Sequence, residues 1–205
     1  MKTKIVFLIL ILFATELMSQ LRLPSLLSDN MCLQQNSDVR IWGWDNPGQV
    51  VSVKPSWTES TLQTTADSKG RWQTSVKTIE AGGTYDLSVE GSEKIIIRNI
   101  VMGEVWLCSG QSNMAKPLGL TPRQKPVINF LEESRSADHQ EIRFFKVASA
   151  KSNSPQEFCK GEWVVCSQKS VLSFSAVAYF FGRELHKNLK VPVGLIQSTW
   201  GGTPV

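Results

Sequence analysis

The chain has 205 residues, a formal net charge of +4, 41% hydrophobic residues and 20% charged residues. These fractions are ordinary for a folded globular protein and argue against a disordered, collagen-like or coiled-coil chain. The basic residues form no long cluster, which argues against a nucleic-acid partner. The length predicts one or two domains.

Residues 1–19 have the three-part pattern of a secretory signal peptide. Lys2 and Lys4 precede an uncharged apolar run from Ile5 to Ala14, and Ser19 offers a small residue for cleavage. A transmembrane anchor would need about 20 apolar residues, so this run is too short. We therefore expect a secreted or periplasmic protein with no membrane association after cleavage of the signal peptide.

Residues 20–100 have the pattern of short strands separated by turn residues. In the turn Asp45-Asn-Pro-Gly48, proline fixes φ and glycine accepts a positive φ. Strands in which apolar and polar residues roughly alternate are predicted at Val39–Trp44, Gln49–Lys54, Arg71–Val76, Thr84–Val89 and Lys94–Arg98. Their regular spacing, without helical periodicity, predicts a small jelly-roll-like β-sandwich.

Three tryptophans, Trp42, Trp44 and Trp72, lie in these predicted strands. Exposed indole rings could form a platform for carbohydrate. Because aromatic side chains in strands more often supply core packing, we expect all three in the core.

After about Val101 the pattern changes to alternating strands and helices. Strands are predicted at Val101–Cys108, Ile142–Val147 and Val193–Gln197, and helices at Pro126–Arg135 and Ser175–Lys190. Such alternation predicts a parallel sheet with helices packed on it.

The four cysteines are Cys32, Cys108, Cys159 and Cys166, too few for a scaffold built on disulfides. Cys159 and Cys166 could pair across a small loop in an exported protein. The simpler interpretation is that all four are buried small hydrophobic residues. The chain has no Cys-x-x-Cys motif and only two histidines, so we expect no structural zinc site. We also expect no cofactor.

A serine stands directly beyond an apolar strand, in Gly110-Gln-Ser112. In α/β proteins the functional sites lie at this position. Ser112 could attack an ester carbonyl once a base removes its proton, and its own N–H could help to hold the oxyanion. The alternative is a turn in which Ser112 or Asn113 caps a following helix. Met114 replaces the second glycine of the Gly-x-Ser-x-Gly elbow, which argues against an ordinary α/β-hydrolase.

A second segment, Gln197-Ser-Thr-Trp-Gly-Gly-Thr-Pro204, also follows a predicted strand directly. Gly201 and Gly202 could bring a backbone N–H close to a ligand, as a second oxyanion donor requires. The alternative is a plain connecting loop.

Together the two segments resemble the sialate O-acetylesterase family of the SGNH-hydrolase superfamily. Gly103–Met114 resembles the first conserved block and Ser198–Pro204 the second, while Phe174–Leu185 resembles the helix before the second block. Leu27–Met31 and Ile41–Trp44 resemble the leading β-domain of bacterial members. The resemblance implies that residues 101–205 form the N-terminal part of a flavodoxin-like, three-layer α/β/α domain of the SGNH type, truncated in this chain.

The resemblance also implies roles for individual residues. Ser112 is the expected nucleophile, and the amides of Ser112 and Gly201 are the expected oxyanion donors. Gly202 would support that loop, and Gln111 and Asn113 would lie in the oxyanion and binding site. Family members remove acetyl groups from sugar hydroxyls, notably those of O-acetylated sialic acid, without a metal. Relatives often carry an acidic residue and an aromatic residue in place of Ala115-Lys116, so substrate contacts there are expected to differ.

The family's later blocks, which carry the third oxyanion donor and the catalytic Asp and His, are not found in this sequence. We therefore expect the N-terminal portion of a longer enzyme. Neither His139, in a polar stretch, nor His186, near a helix C-terminus, is expected to replace the base.

The expected function is hydrolysis of O-acetyl esters of sialic acids. One alternative is an inactive fragment that at most binds glycan. The other is an acetylesterase acting on acetylated plant polysaccharide. We also expect residues 101–205 to be marginally stable, because an incomplete sheet leaves an edge uncovered.

Overall fold

The structure is a computed structural model that describes residues 20–122 and 124–202. The predicted signal peptide lies outside the described residues, as does the end of the second segment, residues 203–205. The described strands are β1 (Cys32–Gln34), β2 (Asp38–Trp44), β3 (Val50–Pro55), β4 (Leu62–Thr65), β5 (Arg71–Lys77), β6 (Gly82–Glu90), β7 (Lys94–Gly110), β8 (His139–Lys146), β9 (Trp163–Cys166) and β10 (Val193–Thr199). The described helices are α1 (Ser112–Ala115), α2 (Phe130–Arg135), a 3₁₀ turn (Ser170–Ser173) and α3 (Ala176–Leu189).

Eight of these strands form one sheet in the order β4-β3-β6-β7-β10-β8-β9, with β1 also paired to β7. Strand β7 joins the two halves of this sheet. Its first half pairs antiparallel with β6, and its second half pairs parallel with β10. The two strands predicted at Lys94–Arg98 and Val101–Cys108 are therefore one strand, and the predicted domain boundary at residue 100 lies inside it.

A second, two-stranded sheet is formed by β2 and β5. Ile41 and Val76 from this sheet share one hydrophobic core with Val51, Leu87 and Ile97 of the large sheet. The turn between β2 and β3 carries the chain from one sheet to the other, since these two strands do not pair with each other. The architecture is thus mixed α/β with a large central sheet. A self-contained N-terminal sandwich is not confirmed, because the larger β layer continues through β7 into the C-terminal strands.

The parallel arrangement predicted for the C-terminal region is present in β7, β10 and β8. Helix α3 begins after Ser175, whose side chain accepts a hydrogen bond from the Ala178 N–H, and ends before Lys190, which has a φ of 58°. The other predicted helix is shorter than expected. It begins only at Phe130, because Asn129 is in the left-handed region with a φ of 58°.

Different structural elements pack on the two faces of the parallel strands. Phe144 packs in the same cluster as Tyr179 of α3, whereas its neighbour Phe145 belongs to the core of the N-terminal strands. Alternate residues of a strand point to opposite faces, so in the described part of the chain α3 covers one face and the β region covers the other. In this part of the molecule the three layers are therefore helix, sheet and β strands. The layers expected from the sequence were helix, sheet and helix.

The second half of β7 has an open edge in the described residues, since Glu104–Gly110 pair there with β10 alone. Trp106 and Leu107 on this stretch are 44% and 68% exposed. The Trp106 ring meets Phe181 of α3 edge-on, with ring centroids 5.1 Å apart. This half of the molecule thus leaves apolar surface exposed among the described residues.

Candidate active site

Ser112 lies at the carboxyl end of β7 and begins the single turn of α1. Gly110 has a φ of 147°, a conformation that favours glycine, and a Cβ there would lie 3.0 Å from the Met114 Cγ. The cap of α1 is Gln111, with no side-chain hydrogen bond to the turn. Ser112 is therefore inside the turn rather than capping it, and its side chain is exposed. The alternative role of Ser112 or Asn113 as a helix cap is wrong.

The second predicted segment lies beside the first. Strands β10 and β7 run parallel, with Thr199 paired to Gly110, and the Trp200 N–H donates to the Gly110 carbonyl at 3.2 Å. A Cβ built on Gly201 would lie 3.5 Å from the Ser112 Oγ. The segment is therefore more than a connecting loop, because it brings Gly201 to the candidate nucleophile.

The next glycine shapes this loop through its backbone. Gly202 has a φ of 81°, and a Cβ there would meet no atom within 4 Å. Glycine is therefore favoured at residue 202 by backbone conformation and not by lack of space.

Gln197 is a buried side chain near the site that the sequence analysis did not single out. Its Oε1 accepts from the Ser175 N–H at 2.9 Å, and its Nε2 donates to the Thr199 Oγ1 at 2.9 Å. Gln197 therefore ties the start of α3 to the strand end that leads to Gly201. A glutamine inside the apolar run Val193–Gln197 was the available signal, since a buried amide requires hydrogen-bond partners.

Ser112, Gln111 and Asn113 line a cleft of about 1370 Å³. The segment after β8 forms another wall and includes Lys151, whose Nζ lies 5.7 Å from the Trp200 ring centroid. The N-terminal region contributes Trp42, Pro24 and Leu26. The cleft thus combines both halves of the molecule. Trp42, which was expected in the core, is half-buried: it packs against the N-terminal core and also lines the cleft.

The two histidines lie at the opposite end of the sheet from Ser112. Val193 is paired with both Glu104 and Ile142, and His139 precedes Ile142 in β8. Because strands rise about 3.3 Å per residue, the Glu104 level lies roughly 20 Å from Gly110. Neither histidine can take a proton from Ser112 in this arrangement.

The histidines form a cluster of their own, with ring centroids 6.3 Å apart. The Nδ1 of His186 lies 2.8 Å from the Val191 carbonyl oxygen, and its Nε2 lies 3.8 Å from Glu141. Burial lowers the pKa of His139, the nearby His186 and Arg183 lower it further, and Asp138 opposes them.

All four cysteines are free, so the pairing of Cys159 with Cys166 does not form. They pack in different hydrophobic clusters, Cys159 at the margin of the N-terminal core and Cys166 in the core under α3. Burial raises the pKa of Cys32 and of Cys166 to about 12, so these thiols are not nucleophiles near neutral pH.

Neither a metal-binding group nor a membrane span is found in the described residues. Across residues 20–122 and 124–202, no three His, Cys, Asp or Glu side chains cluster as metal ligands would. Of the helices in this range, none has the length and apolar character needed to cross a membrane.

No family model matches the chain. The sialate O-acetylesterase of Homo sapiens is 30% identical over 90% of this chain, and that of Rattus norvegicus is 29% identical over 90%. The alignments cover 38% and 36% of those proteins.

Among solved structures, a carbohydrate acetylesterase from Xanthomonas citri superposes with a TM-score of 0.82 and 33% identity. The superposition covers 90% of this chain and 41% of that protein. The chain thus spans about two fifths of the length of the relatives that it matches.

Proposed function

Because this chain belongs to the sialate O-acetylesterase family, we propose that it supplies the nucleophile and oxyanion loop of an esterase acting on acetylated carbohydrate. The observation that carries the proposal is the approach of Gly201 to Ser112, where a Cβ on the glycine would lie 3.5 Å from the serine Oγ. Two segments far apart in sequence meet there, at the carboxyl ends of adjacent parallel strands. Such strand ends are where α/β proteins bind their ligands.

In the proposed reaction, the Ser112 Oγ attacks the carbonyl carbon of an acetyl ester, and a base takes the serine proton. The bond between the acetyl carbon and the sugar oxygen then breaks as the base returns the proton to that oxygen. Water hydrolyses the acetyl-serine, which releases acetate and restores Ser112. No metal takes part in this sequence of steps.

The oxyanion formed in each step needs donors that are already in place. We assign this role to the backbone amides of Ser112 and Gly201. The conformation of Gly202 supports the loop, and Gln111 and Asn113 flank the nucleophile in the cleft. The hydrogen bonds of Gln197 to Ser175 and Thr199 would keep this loop in position.

No base is assigned within the described residues, because His139 and His186 lie at the far end of the sheet. A serine without its base retains only residual catalysis. The competing proposal is therefore a non-catalytic chain that binds glycan in the same cleft.

For the substrate, we propose O-acetylated sialic acid, following the names of the mammalian relatives. The bacterial relative is described only as a carbohydrate acetylesterase, so acetylated plant polysaccharide is the second candidate. We also propose that residues 1–19 direct export to the periplasm or the medium. N-terminal sequencing of exported protein should start near Gln20, and an intact Met1 would contradict export by cleavage.

The test is acetate release from 9-O-acetylated sialic acid and from acetylated xylan by the purified chain and its Ser112→Ala variant. We expect slow release by the chain, because no base is assigned, and release at the uncatalysed background by the variant, because the nucleophile is lost. Ser136→Ala, an exposed serine after α2 and outside the cleft, is the matched control and should keep full activity. A folded wild-type chain that releases no acetate would contradict the catalytic proposal and support the non-catalytic one.

A further inference from the structure

A second cleft, of about 820 Å³, lies over the β2–β5 sheet. Trp42 and Trp44 occupy alternate positions of β2 and both line this cleft, as does Gln73 of β5. Trp72 is the tryptophan of the predicted set that is buried, with 3% exposure. We call this second cavity the indole cleft.

The Trp44 ring is held in position by two neighbours. The Arg22 guanidinium carbon lies 5.6 Å from the ring centroid, and Phe158 meets the ring edge-on with centroids 6.3 Å apart. A fixed aromatic ring can bind a flat apolar surface with little loss of side-chain entropy.

The charged side chains that line the indole cleft are two arginines, Arg40 and Arg71, and two acids, so their formal charges cancel. Arg71 pairs with Asp67 at 3.1 Å and with Glu157 at 3.4 Å, and all three side chains line the cleft. Paired guanidinium and carboxylate groups can donate hydrogen bonds to neutral hydroxyls and accept hydrogen bonds from them. Because their charges cancel, they attract neither anions nor cations strongly. Indole rings beside such groups suit sugar rings, which have apolar C–H faces and a rim of hydroxyls.

The indole cleft borders the cleft at Ser112. Trp42 and Glu157 line both cavities. Phe158 lines the Ser112 cleft and contacts Trp44 in the indole cleft. A chain of sugars could therefore extend from one cleft into the other.

We propose that the indole cleft binds the neutral sugar units attached to the acetylated sugar, so that the substrate is an oligosaccharide rather than a free acetylated monosaccharide. This inference rests on the proposed function, which places the acetylated unit of the bound oligosaccharide at Ser112 and so sets its orientation. The structure contributes the two lining residues that the cavities share, Trp42 and Glu157, and the presence of Trp42 and Trp44 in one cleft. Neutral sugars of either a plant polysaccharide or an animal glycan have the chemistry required.

The test uses unacetylated oligosaccharides, which bind without being hydrolysed. Binding of xylohexaose and of lacto-N-hexaose to the full chain is measured by titration calorimetry, with free xylose for comparison. We expect at least one of the two hexasaccharides to bind, and to bind more tightly than xylose by about tenfold or more. Which of them binds distinguishes the plant source from the animal source.

Two variants then place the bound sugar. Trp44→Ala should weaken hexasaccharide binding by about tenfold, the loss typical of removing an aromatic anchor. Trp57→Ala is the matched control, because this half-buried tryptophan packs on Tyr85 outside both clefts. Gln73→Ala removes an exposed hydrogen-bonding side chain without disturbing the core, and should weaken binding severalfold even if Trp44→Ala does not fold.

Equal binding by wild type, Trp44→Ala and Gln73→Ala would overturn the inference, as would a failure of both hexasaccharides to bind. These outcomes are separate from those of the acetate assay. Acetate release without oligosaccharide binding contradicts the indole cleft alone, whereas oligosaccharide binding without acetate release contradicts the esterase proposal alone.

Discussion

The two halves of the large sheet are built by different kinds of pairing. In the N-terminal half, β3, β4 and β6 pair antiparallel with strands near them in sequence. In the C-terminal half, β7 and β8 both pair parallel with β10, the last of the described strands. Parallel strands put their carboxyl ends at the same edge, so the half built by long-range pairing is the one that brings Ser112 and Gly201 together.

The halves also differ in how completely their apolar surfaces are covered. Val51, Val53, Leu87 and Val89 of the N-terminal half are fully buried under the β2–β5 sheet. The C-terminal half has a buried core under α3 but exposes Trp106 and Leu107 along the open part of β7. The core under α3 therefore contains fewer buried residues than the core of the N-terminal half.

The largest effect is expected from Phe144→Ala in the C-terminal core. Phe144 stacks on Phe174 with ring centroids 4.1 Å apart, and its side chain is 1% exposed. Removing such a ring leaves a cavity and should lower the free energy of unfolding by about 3–5 kcal/mol. The measurement is urea unfolding followed by tryptophan fluorescence.

Leu107→Ala is the control for this loss, because Leu107 is 68% exposed. A surface change of this kind should alter the free energy of unfolding by less than about 1 kcal/mol. If both variants lost the same stability, Leu107 would be covered in solution and the apolar surface of this half would not be exposed there.

A smaller loss is expected from Gly103→Ala at the junction of the halves. A Cβ there would overlap the carbonyl group of Pro192, whose oxygen accepts the Glu104 N–H at 2.9 Å. The backbone before β10 must then shift, and we expect a loss of about 2–3 kcal/mol in thermal or urea unfolding.

Gly48→Ala, in the turn between β2 and β3, is the control for this prediction. It measures the cost of placing alanine at a positive φ where no atom clashes with the new Cβ. Gly48 has a φ of 79° with open space around it, so alanine should cost only about 1 kcal/mol. A Gly48 variant as unstable as the Gly103 variant would argue against tight packing at the junction.

The smallest effect concerns the pH dependence of stability in the C-terminal half. Burial and the neighbouring His186 and Arg183 lower the pKa of His139 below its ordinary value of 6.5. The unfolded chain therefore takes up this proton more readily than the folded chain, and stability falls as pH decreases through and below that value. The free energy of unfolding of His139→Gln should fall less than that of wild type between about pH 7.5 and pH 5.5. Equal slopes would show that His139 titrates alike in both states.

Much of the N-terminal half was predictable because alternation and turn residues are local signals. β2, β3, β5 and β6 were predicted close to their bounds in the structure. β1, β4 and β9 were missed because each has only three or four residues, too few for periodicity to be read. The continuity of β7 was missed because the pattern changes near Val101 while the backbone does not.

The site was predicted in part. Ser112 was identified from its place after an apolar strand, and its role as nucleophile stays a prediction. The approach of Gly201 to Ser112 was implied by the family resemblance and by no local pattern. The indole cleft was not anticipated, since Trp42 and Trp44 were assigned to the core on their strand positions alone. Which face of a strand is covered depends on the neighbouring elements.

By itself the sequence determined the local elements: the turn at Asp45–Gly48, the capped helix α3 and a serine at the end of an apolar strand. Short-range interactions suffice for these, because capping, φ preferences and side-chain periodicity act within a few residues. Tertiary structure alone decided that β10 lies beside β7 and that the β2–β5 sheet borders the cleft. Those contacts join residues far apart in the chain, and burial of apolar faces on both sides of one sheet selects them.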